Sequence, residues 1–356
     1  MHKKLFIPGP VEVHPDILKA CAVPMISHRA KEYEELHGRV KAKLRAMFNA
    51  KAGWIPLFTS SSTGAMEAAL RNLVGRRVLS CTCGAFSERW FEMAKENGKE
   101  ADAYAVEWGM GFRAEEVDRR LATGKYDAIT VVHNETSTGV LNPLDEIAAV
   151  VRKYPDVMFC VDAVSAMAGV AIEPEALGID MVLAGVQKAF GLPPGLTVAY
   201  VSDRAMRKAE TVTARGHYFD LVQMKKYDDR NQTPETPVIS LIHALDVQLD
   251  RMIAEGFGAR YGRTLEMALA CRAWAEKHFA LFPEKGYESV TLTAVKNTRG
   301  TDVGKLNAEL AKRGAIISEG YGRIKATTFR IAHMADITMN DLQWLLGQID
   351  EILQLQ

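Results

Sequence analysis

The chain has 356 residues, of which 48% are hydrophobic and 25% are charged, so it can bury a substantial core in one large or two modest domains. Lysine plus arginine number 44, as do aspartate plus glutamate, so no overall positive field exists to hold nucleic acid or a membrane surface. No uncharged apolar stretch approaches the roughly 18 residues that span a bilayer. Five scattered cysteines and a start, "MHKKLFIPGP", without a signal-like apolar core favour a cytoplasmic location.

Strand-like and helix-like segments alternate through the first two-thirds of the chain. Five short apolar segments are typical of strands covered on both faces: "RRVLSCTCG", "YDAITVVHN", "DVMFCVDAVSA", "DMVLAGVQ" and "LTVAYVS". Helical patterns that end near glycine or proline lie between them, namely "SERWFEMAKENG", "AEEVDRRLATG" and "LDEIAAVVRKY". This alternation predicts an α/β fold with one buried, mainly parallel sheet.

The pattern changes after "NQTPETP", where two long amphipathic helices begin. A strand, a helix and a second strand follow in "SVTLTAV", "VGKLNAELAKRG" and "TTFRIAHM", and the capping-box sequence "TMND" opens a closing helix. We therefore divide the chain into an N-terminal arm at 1–16, a large domain at 17–251 and a smaller α+β domain at 252–356. Metal ligation has little support, because the C-x-C at 81–83 has no second pair and no H-E-x-x-H occurs.

Ligands of such sheets bind beyond the carboxyl ends of the strands, so residues that follow strands are candidates for a site. Ser61, Ser62 and Thr63 precede the helical segment "AMEAALRNL". Hydroxyls and free backbone N–H groups at a helix N-terminus make a phosphate cradle. The alternative is an ordinary serine-rich helix cap.

Two charged residues follow apolar strands. Asp162 comes after "VMFCV", and Lys188 comes after "DMVLAGVQ", so the two can occupy neighbouring strand ends. Alone, Asp162 could be a turn former and Lys188 a solvated side chain. With the phosphate cradle they suit pyridoxal 5′-phosphate, because the lysine forms a Schiff base with the aldehyde and the carboxylate keeps the pyridine nitrogen protonated.

At these residues the chain resembles the class V aminotransferases of the aspartate-aminotransferase fold, that is, fold type I of the pyridoxal-phosphate-dependent transferases. The likeness is greatest to the alanine/serine–glyoxylate (serine–pyruvate) branch and to related phosphoserine aminotransferases. The motifs that carry it span nearly the whole chain: "FIPGPVEVHPDIL", "SHRAKEYEEL", "SSSTGAMEAAL", "CGAFSERW", "HNETSTGVLNPL", "VDAVSAMAG", "GVQKAFGLPPGL", "NQTPETP" and "FRIAHM".

The resemblance implies a role for each matching residue. Lys188 would be the Schiff-base lysine and the base that moves the substrate's Cα proton, and Asp162 would be the partner of the pyridinium. The other implied cofactor contacts are Ser61, Ser62 and Thr63 at the phosphate, Gln187 at the phosphate or ring hydroxyl, Phe86 and Val164 on the ring faces, Thr136 at the ring oxygen, and Thr233 at the phosphate of the other subunit. The last contact implies a homodimer with shared sites.

The same resemblance bears on the substrate. Arg330 matches the arginine that binds the substrate α-carboxylate, a task suited to a planar fork of donors. We expect transamination of alanine or serine with glyoxylate or pyruvate. His28 and Arg29 also resemble a segment that holds a substrate phosphate, which leaves phosphoserine with 2-oxoglutarate as the alternative; ordinary salt bridges in a helix-start turn explain these two residues equally well. A desulfurase is less well supported, since no cysteine stands in a recognisable catalytic loop.

Overall fold

The computed structural model describes residues 2–355. Its strands are β1 (Lys4–Phe6), β2 (Leu57–Phe58), β3 (Arg77–Thr82), β4 (Glu100–Ala105), β5 (Ala128–Val132), β6 (Asn134–Glu135), β7 (Val140–Leu141), β8 (Met158–Asp162), β9 (Met181–Gly185), β10 (Thr197–Val201), β11 (Ala280–Leu281), β12 (Leu292–Lys296), β13 (Ala315–Glu319) and β14 (Thr328–Ala332). Its α-helices are α1 (Pro15–Cys21), α2 (Lys31–Met47), α3 (Ser62–Leu73), α4 (Ala85–Glu96), α5 (Ala114–Leu121), α6 (Leu144–Val151), α7 (Pro174–Leu177), α8 (Asp203–Thr211), α9 (Leu221–Asp228), α10 (Ile239–Glu255), α11 (Phe257–His278), α12 (Val303–Lys312) and α13 (Met339–Leu353).

The larger sheet has seven strands in the order β2-β10-β9-β8-β5-β3-β4. The five strands from β9 to β4 run parallel, and β10 is antiparallel to both of its neighbours. All residues of β5, β8 and β9 are buried, as expected for parallel strands with helices on both faces. The sheet is therefore mainly parallel, as the sequence predicted.

Alternate residues along one strand belong to different hydrophobic clusters. In β8, Phe159 and Val161 pack with the cluster that includes α2, α6 and α10, whereas Met158 and Cys160 pack with the cluster of α3, α4 and α8. Successive side chains of a strand point to opposite faces of the sheet. This three-layer core holds the carboxyl ends of β5, β8 and β9 at one edge.

The smaller sheet has the order β1-β13-β14-β12-β11. Most of its pairs are antiparallel, but β1 runs parallel to β13, so residues from the beginning of the chain complete a sheet built near its end. A separate cluster packs this sheet against α11, α12 and α13. Thr338 and Asp341 form the capping box that the sequence predicted for α13. The domain boundary at residue 252 stays a prediction.

No helix of residues 2–355 combines the length and apolar character that a membrane span requires. No group of three or more histidine, cysteine, aspartate or glutamate side chains in the described chain is arranged to hold a metal ion.

Candidate active site

A cavity of about 310 Å³ opens where the central strands end. Its wall includes the last residues of β5 and β8, the residues just after β9, and the first turns of α3 and α4. Nine of the ten cofactor contacts expected from the sequence line it: Ser61, Ser62, Thr63, Phe86, Thr136, Asp162, Val164, Gln187 and Lys188. The fold thus brings together residues that are far apart in the chain.

Asp162 ends β8 inside this cavity. Only 5% of the residue is exposed, and the Val164 N–H donates a hydrogen bond of 2.8 Å to Asp162 Oδ1. Burial raises the pKa of the carboxyl to about 7, and the nearby Glu135 charge acts in the same direction. Lys188 and Arg89 act in the opposite direction but do not outweigh burial. A cation against this carboxylate would restore its charged form.

Lys188 lies three residues after the end of β9, the strand next to β8. Burial lowers the pKa of its amine to about 8, and the charge of Arg330 lowers it further, against the attraction of Asp162 and Glu135. The Lys188 Nζ donates a hydrogen bond to the Pro8 carbonyl. Gly9 has a φ of +126°, and a Cβ built there would lie 2.7 Å from Lys188 Cδ, so a glycine is needed for this close approach. The N-terminal segment therefore packs directly on the lysine.

The first turn of α3 forms one end of the cavity. Ser61 occupies the N-cap position, but its side chain makes no capping hydrogen bond, so the ordinary-cap alternative does not describe this serine. Thr197 Oγ1 lies 3.4 Å from Ser62 Oγ and 3.2 Å from the Ser60 carbonyl oxygen. Gly185 leaves the space that Ser62 and Gln187 fill, because a Cβ there would lie 2.5 Å from Gln187 Oε1. Hydroxyls, an amide and a helix N-terminus converge at this end.

Phe86 stands at the start of α4 and lines the same cavity. Its ring stacks on Tyr321, with ring centroids 5.4 Å apart and an angle of 26° between the planes. Tyr321 precedes β14 and belongs to the part of the chain that forms the smaller sheet. Phe86 and Tyr321, here called the aromatic wall, thus come from the surroundings of both sheets. Only Phe86 lines the cavity, and only Phe86 was predicted from the sequence.

Glu135, which lies next to Thr136 in the segment after β5, is a completely buried carboxylate beside this wall. Its Oε2 accepts hydrogen bonds from the Ser87 N–H at 2.9 Å and Ser87 Oγ at 3.0 Å, and its Oε1 accepts one from Ser137 Oγ at 2.6 Å. The Phe86 and Ser137 N–H groups donate to Oε1 at 3.3 and 3.2 Å. The Glu135 carboxylate accepts these five hydrogen bonds and so links the start of α4 to the segment that carries Thr136.

Arg330 lies on β14 next to the cavity, although it is not part of its lining. Its Nη1 donates to the Thr136 carbonyl at 3.1 Å, and its other donors reach Ser318 Oγ and the Glu319 carbonyl. Burial lowers the pKa of its guanidinium to about 10. A second guanidinium, that of Arg89, does line the cavity. Its position three residues after Phe86 on a helix is the signal that could have revealed it.

Three residues expected at the site lie elsewhere in the single chain. Thr233 lines a different pocket and donates to the Glu235 carbonyl. Arg29 donates to the Thr233 carbonyl at 2.6 Å and the Pro234 carbonyl at 2.9 Å. His28 is half-buried in the turn before α2. Arg29 and Thr233 therefore lie together in a neighbouring cluster, and none of the three residues is part of the cavity wall.

Two polar groups beside the site have unused hydrogen-bonding capacity among the described residues. Asn134 lines the cavity, and its buried Oδ1 has no donor, while its Nδ2 donates to the Ser165 carbonyl and Thr291 Oγ1. The buried His133 Nδ1 also has no partner, and this ring faces a separate groove of about 880 Å³. Asn134 lies two positions after the end of β5, and this place near the carboxyl end of a strand marks it as a candidate site residue in the sequence.

Several known proteins with similar sequences and structures are aminotransferases. The family described as aminotransferase class V matches residues 18–327. An uncharacterized aminotransferase of Methanocaldococcus jannaschii is 38% identical over 93% of this chain and 88% of the relative. A serine–glyoxylate aminotransferase of Methylorubrum extorquens is 32% identical over 97% of this chain and 89% of the relative. The crystal structure of an alanine–glyoxylate aminotransferase from Nostoc sp. superposes with a TM-score of 0.93 at 26% identity, covering 99% of this chain and 96% of that one.

The architecture is that of the pyridoxal-phosphate-dependent transferases of fold type I, which confirms the predicted fold class. The chain belongs to the class V aminotransferases. It is therefore an enzyme that transfers amino groups, and the predicted family is confirmed.

Proposed function

We propose that this aminotransferase uses pyridoxal 5′-phosphate to transfer the amino group of a small 2-amino acid, alanine or serine, to glyoxylate or pyruvate. The observation that carries the proposal is that Lys188 and Asp162 line one cavity whose far end is the N-terminus of α3. The names of the similar glyoxylate aminotransferases support the choice of substrates.

The described residues fit this cofactor. The buried Asp162 carboxylate receives its hydrogen bond from Val164 and has capacity for a pyridinium N–H. The Ser61 hydroxyl is not used for capping, and Gly185 leaves room for Ser62 and Gln187 at the same end. An anion is stabilised at a helix N-terminus. Ser61, Ser62, Thr63 and Gln187 would hold the phosphate, Asp162 the ring nitrogen, and Phe86 and Val164 the two ring faces.

The cofactor, when bound, supplies an electron-accepting ring that stabilises negative charge at the substrate Cα. The chain contributes the groups that hold the substrate and move its proton. Burial lowers the pKa of the Lys188 amine to about 8. A larger fraction of it is therefore neutral near pH 7 than of an ordinary lysine, and the neutral amine can accept a proton from the substrate Cα. Asp162 would accept a hydrogen bond from the protonated pyridine nitrogen of the cofactor and so favour that protonated form.

Arg330 would bind the α-carboxylate that every substrate of the reaction shares. Its guanidinium donates to two carbonyls and a hydroxyl, which fix the orientation of the side chain. No carboxylate of the described chain lies within 4.0 Å of it, so its charge is not neutralised. A carboxylate that made two parallel hydrogen bonds to this guanidinium would use the one Nη1 N–H without a partner in the described chain and would replace one of the four present contacts. The substrate's reacting carbon is thereby oriented towards Lys188.

We infer a homodimer in which Thr233 of one subunit reaches the phosphate bound by the other. Thr233 lies outside its own chain's cavity, which is consistent with a contact made across an interface. The same cluster contains Arg29, whose guanidinium donates to backbone carbonyls of residues 233 and 234 and so supports the Thr233 loop. A cytoplasmic location stays a prediction from the sequence.

The proposal is tested by mixing cofactor-loaded protein with single amino acids and following the loss of the cofactor's visible absorbance. We expect alanine or serine to discharge the absorbance and glyoxylate or pyruvate to restore it. Discharge by phosphoserine alone would overturn the choice of substrate, and sulfide release from cysteine would indicate a desulfurase. Arg330→Gln is expected to lower the rate constant about 10- to 100-fold for every amino acid, because each has the same α-carboxylate.

A further inference from the structure

Arg89 is a cation of the cavity wall that the proposed reaction leaves without a task. It lies on α4, one helical turn after Phe86, and lines the cavity together with Lys188 and Asp162. Its guanidinium carbon is 5.0 Å from the Phe86 ring centroid, and its Nη2 donates to Tyr321 Oη at 3.4 Å. Arg89 is exposed, so these two contacts place its guanidinium where the cavity meets solvent, beside the aromatic wall.

No carboxylate of residues 2–355 lies within 4.0 Å of the Arg89 guanidinium. The adjacent Glu88 is engaged elsewhere, because its Oε1 accepts from Trp108 Nε1 at 2.6 Å and lies 3.8 Å from Arg323 Nη2. An arginine of this kind has most of its five donors available. At a cavity that binds amino acids, these donors suit an anionic group of the ligand.

Tyr321 connects Arg89 with Arg330. The Arg330 guanidinium carbon lies 5.5 Å from the Tyr321 ring centroid, while Arg89 is at the hydroxyl of the same side chain. Two guanidinium groups thus flank one tyrosine. A substrate with a single carboxylate needs one of them, whereas a substrate that also carries an anionic side chain can use both.

We propose that Arg89 is a specificity-determining residue that binds the side-chain carboxylate of an acidic amino acid or 2-oxo acid, and that Tyr321 orients it. The inference rests on the proposed function and extends its substrate class, since a transaminase takes two substrates in turn at one site. An acidic substrate would serve in one half-reaction, and a small neutral one in the other.

The test compares alanine with aspartate, and includes phosphoserine because a phosphate could use the same donors. We expect Arg89→Gln to lower the rate constant for absorbance discharge by aspartate about 10- to 100-fold, and by alanine no more than about threefold. Arg89→Lys should recover part of the loss, since the charge remains while the fork is gone. Tyr321→Phe should lower the rate with aspartate by a smaller factor. Arg323→Gln is the matched control, because it removes a nearby charge that does not line the cavity.

A binding measurement separates recognition from turnover. Calorimetric titration of the cofactor-loaded protein with succinate should give a dissociation constant that rises about 10-fold or more in Arg89→Gln, whereas propionate binding should not change. Equal effects on aspartate and alanine, no effect on aspartate, or no reaction of the parent enzyme with aspartate would overturn the inference. A loss confined to phosphoserine would overturn the carboxylate assignment. If alanine and serine also fail to discharge the absorbance, the proposed function itself is wrong.

Discussion

Asp162 and Lys188 stand at the ends of adjacent parallel strands. Asp162 on β8 is in register with Leu183 on β9, and Lys188 follows Leu183 by five positions, so the carboxylate and the amine line the same cavity. Each is perturbed mainly by burial, which raises the pKa of the acid and lowers that of the amine. Both pKa shifts favour the neutral forms of the two groups. The pair therefore suits a ligand that brings a positive charge to Asp162 and forms a covalent bond with Lys188.

The pKa of Lys188 predicts how cofactor uptake depends on pH. The neutral amine is the nucleophile, and its fraction rises as the pH passes through the folded pKa of about 8 rather than the ordinary 10.5. We expect the rate of appearance of the bound cofactor's absorbance to reach half its maximum near pH 8. Stopped-flow mixing between pH 6 and about 10 measures this rate. A half-maximal rate that requires a pH near 10 would contradict the effect of burial.

The raised pKa of Asp162 predicts a pH-dependent stability of the cofactor-free protein. The pKa rises from 3.8 to about 7 on folding, so the folded state binds a proton more tightly than the unfolded state. Stability from this group is complete below pH 4 and is lost as the pH rises through about 7. Asp162→Asn removes this dependence. The stability of the parent protein relative to the variant, measured by urea unfolding, should therefore fall across that window, and a constant difference would count against it.

Gly185 is predicted to be required for cofactor affinity rather than for the fold. In Gly185→Ala the new methyl group would press on Ser62 Oγ and lie 2.5 Å from Gln187 Oε1. Displacing these groups should raise the cofactor dissociation constant about 10-fold or more. Absorbance titration measures the constant. Gly347→Ala on α13 is the matched control, since outside its chain neighbours and its own helix backbone the added methyl meets nothing within 4 Å; similar effects of both substitutions would refute the assignment.

Glu135 is predicted to hold the aromatic wall against the segment that carries Thr136. Glu135→Gln would turn an amide N–H₂ towards groups that are themselves donors, which should lower the free energy of unfolding by about 2–3 kcal/mol. Urea denaturation measures the change. The control is Glu309→Gln, where the carboxylate is half exposed and paired with Lys312 on the surface, and no measurable change is expected. A stable Glu135→Gln variant would show that the five hydrogen bonds contribute little.

Much of the fold and of the cavity wall follows from local sequence. The buried strands are continuous apolar runs, and the residues after them line the site because the carboxyl ends of parallel strands meet at one edge. Asp162 and Gln187 could be predicted as residues of the cavity wall in this way. The predicted fold and family are confirmed, whereas the individual roles of the site residues stay predictions.

Other features depend on contacts between residues far apart in the sequence, which no local sequence pattern predicts. Glu135 in "HNETSTG" follows a strand, but its complete burial and its contacts with Ser87 and Phe86 on another helix are not visible in the local sequence. Strand β1 is three residues long and pairs with β13 near the other end of the chain. Tyr321 reaches the site by stacking on Phe86. Each of these needs the assembled tertiary structure, since its partner is far away in sequence.

The central claim is that Lys188 binds the cofactor covalently, and borohydride reduction tests it most directly. The cofactor-loaded protein is treated with borohydride and digested, and the peptide that carries the added pyridoxyl group is identified by mass. We predict that the group is on Lys188, that Lys188→Ala yields no adduct, and that the exposed control Lys153→Ala yields as much as the parent. A colourless protein that takes up no cofactor, or an adduct on another lysine, would contradict the account.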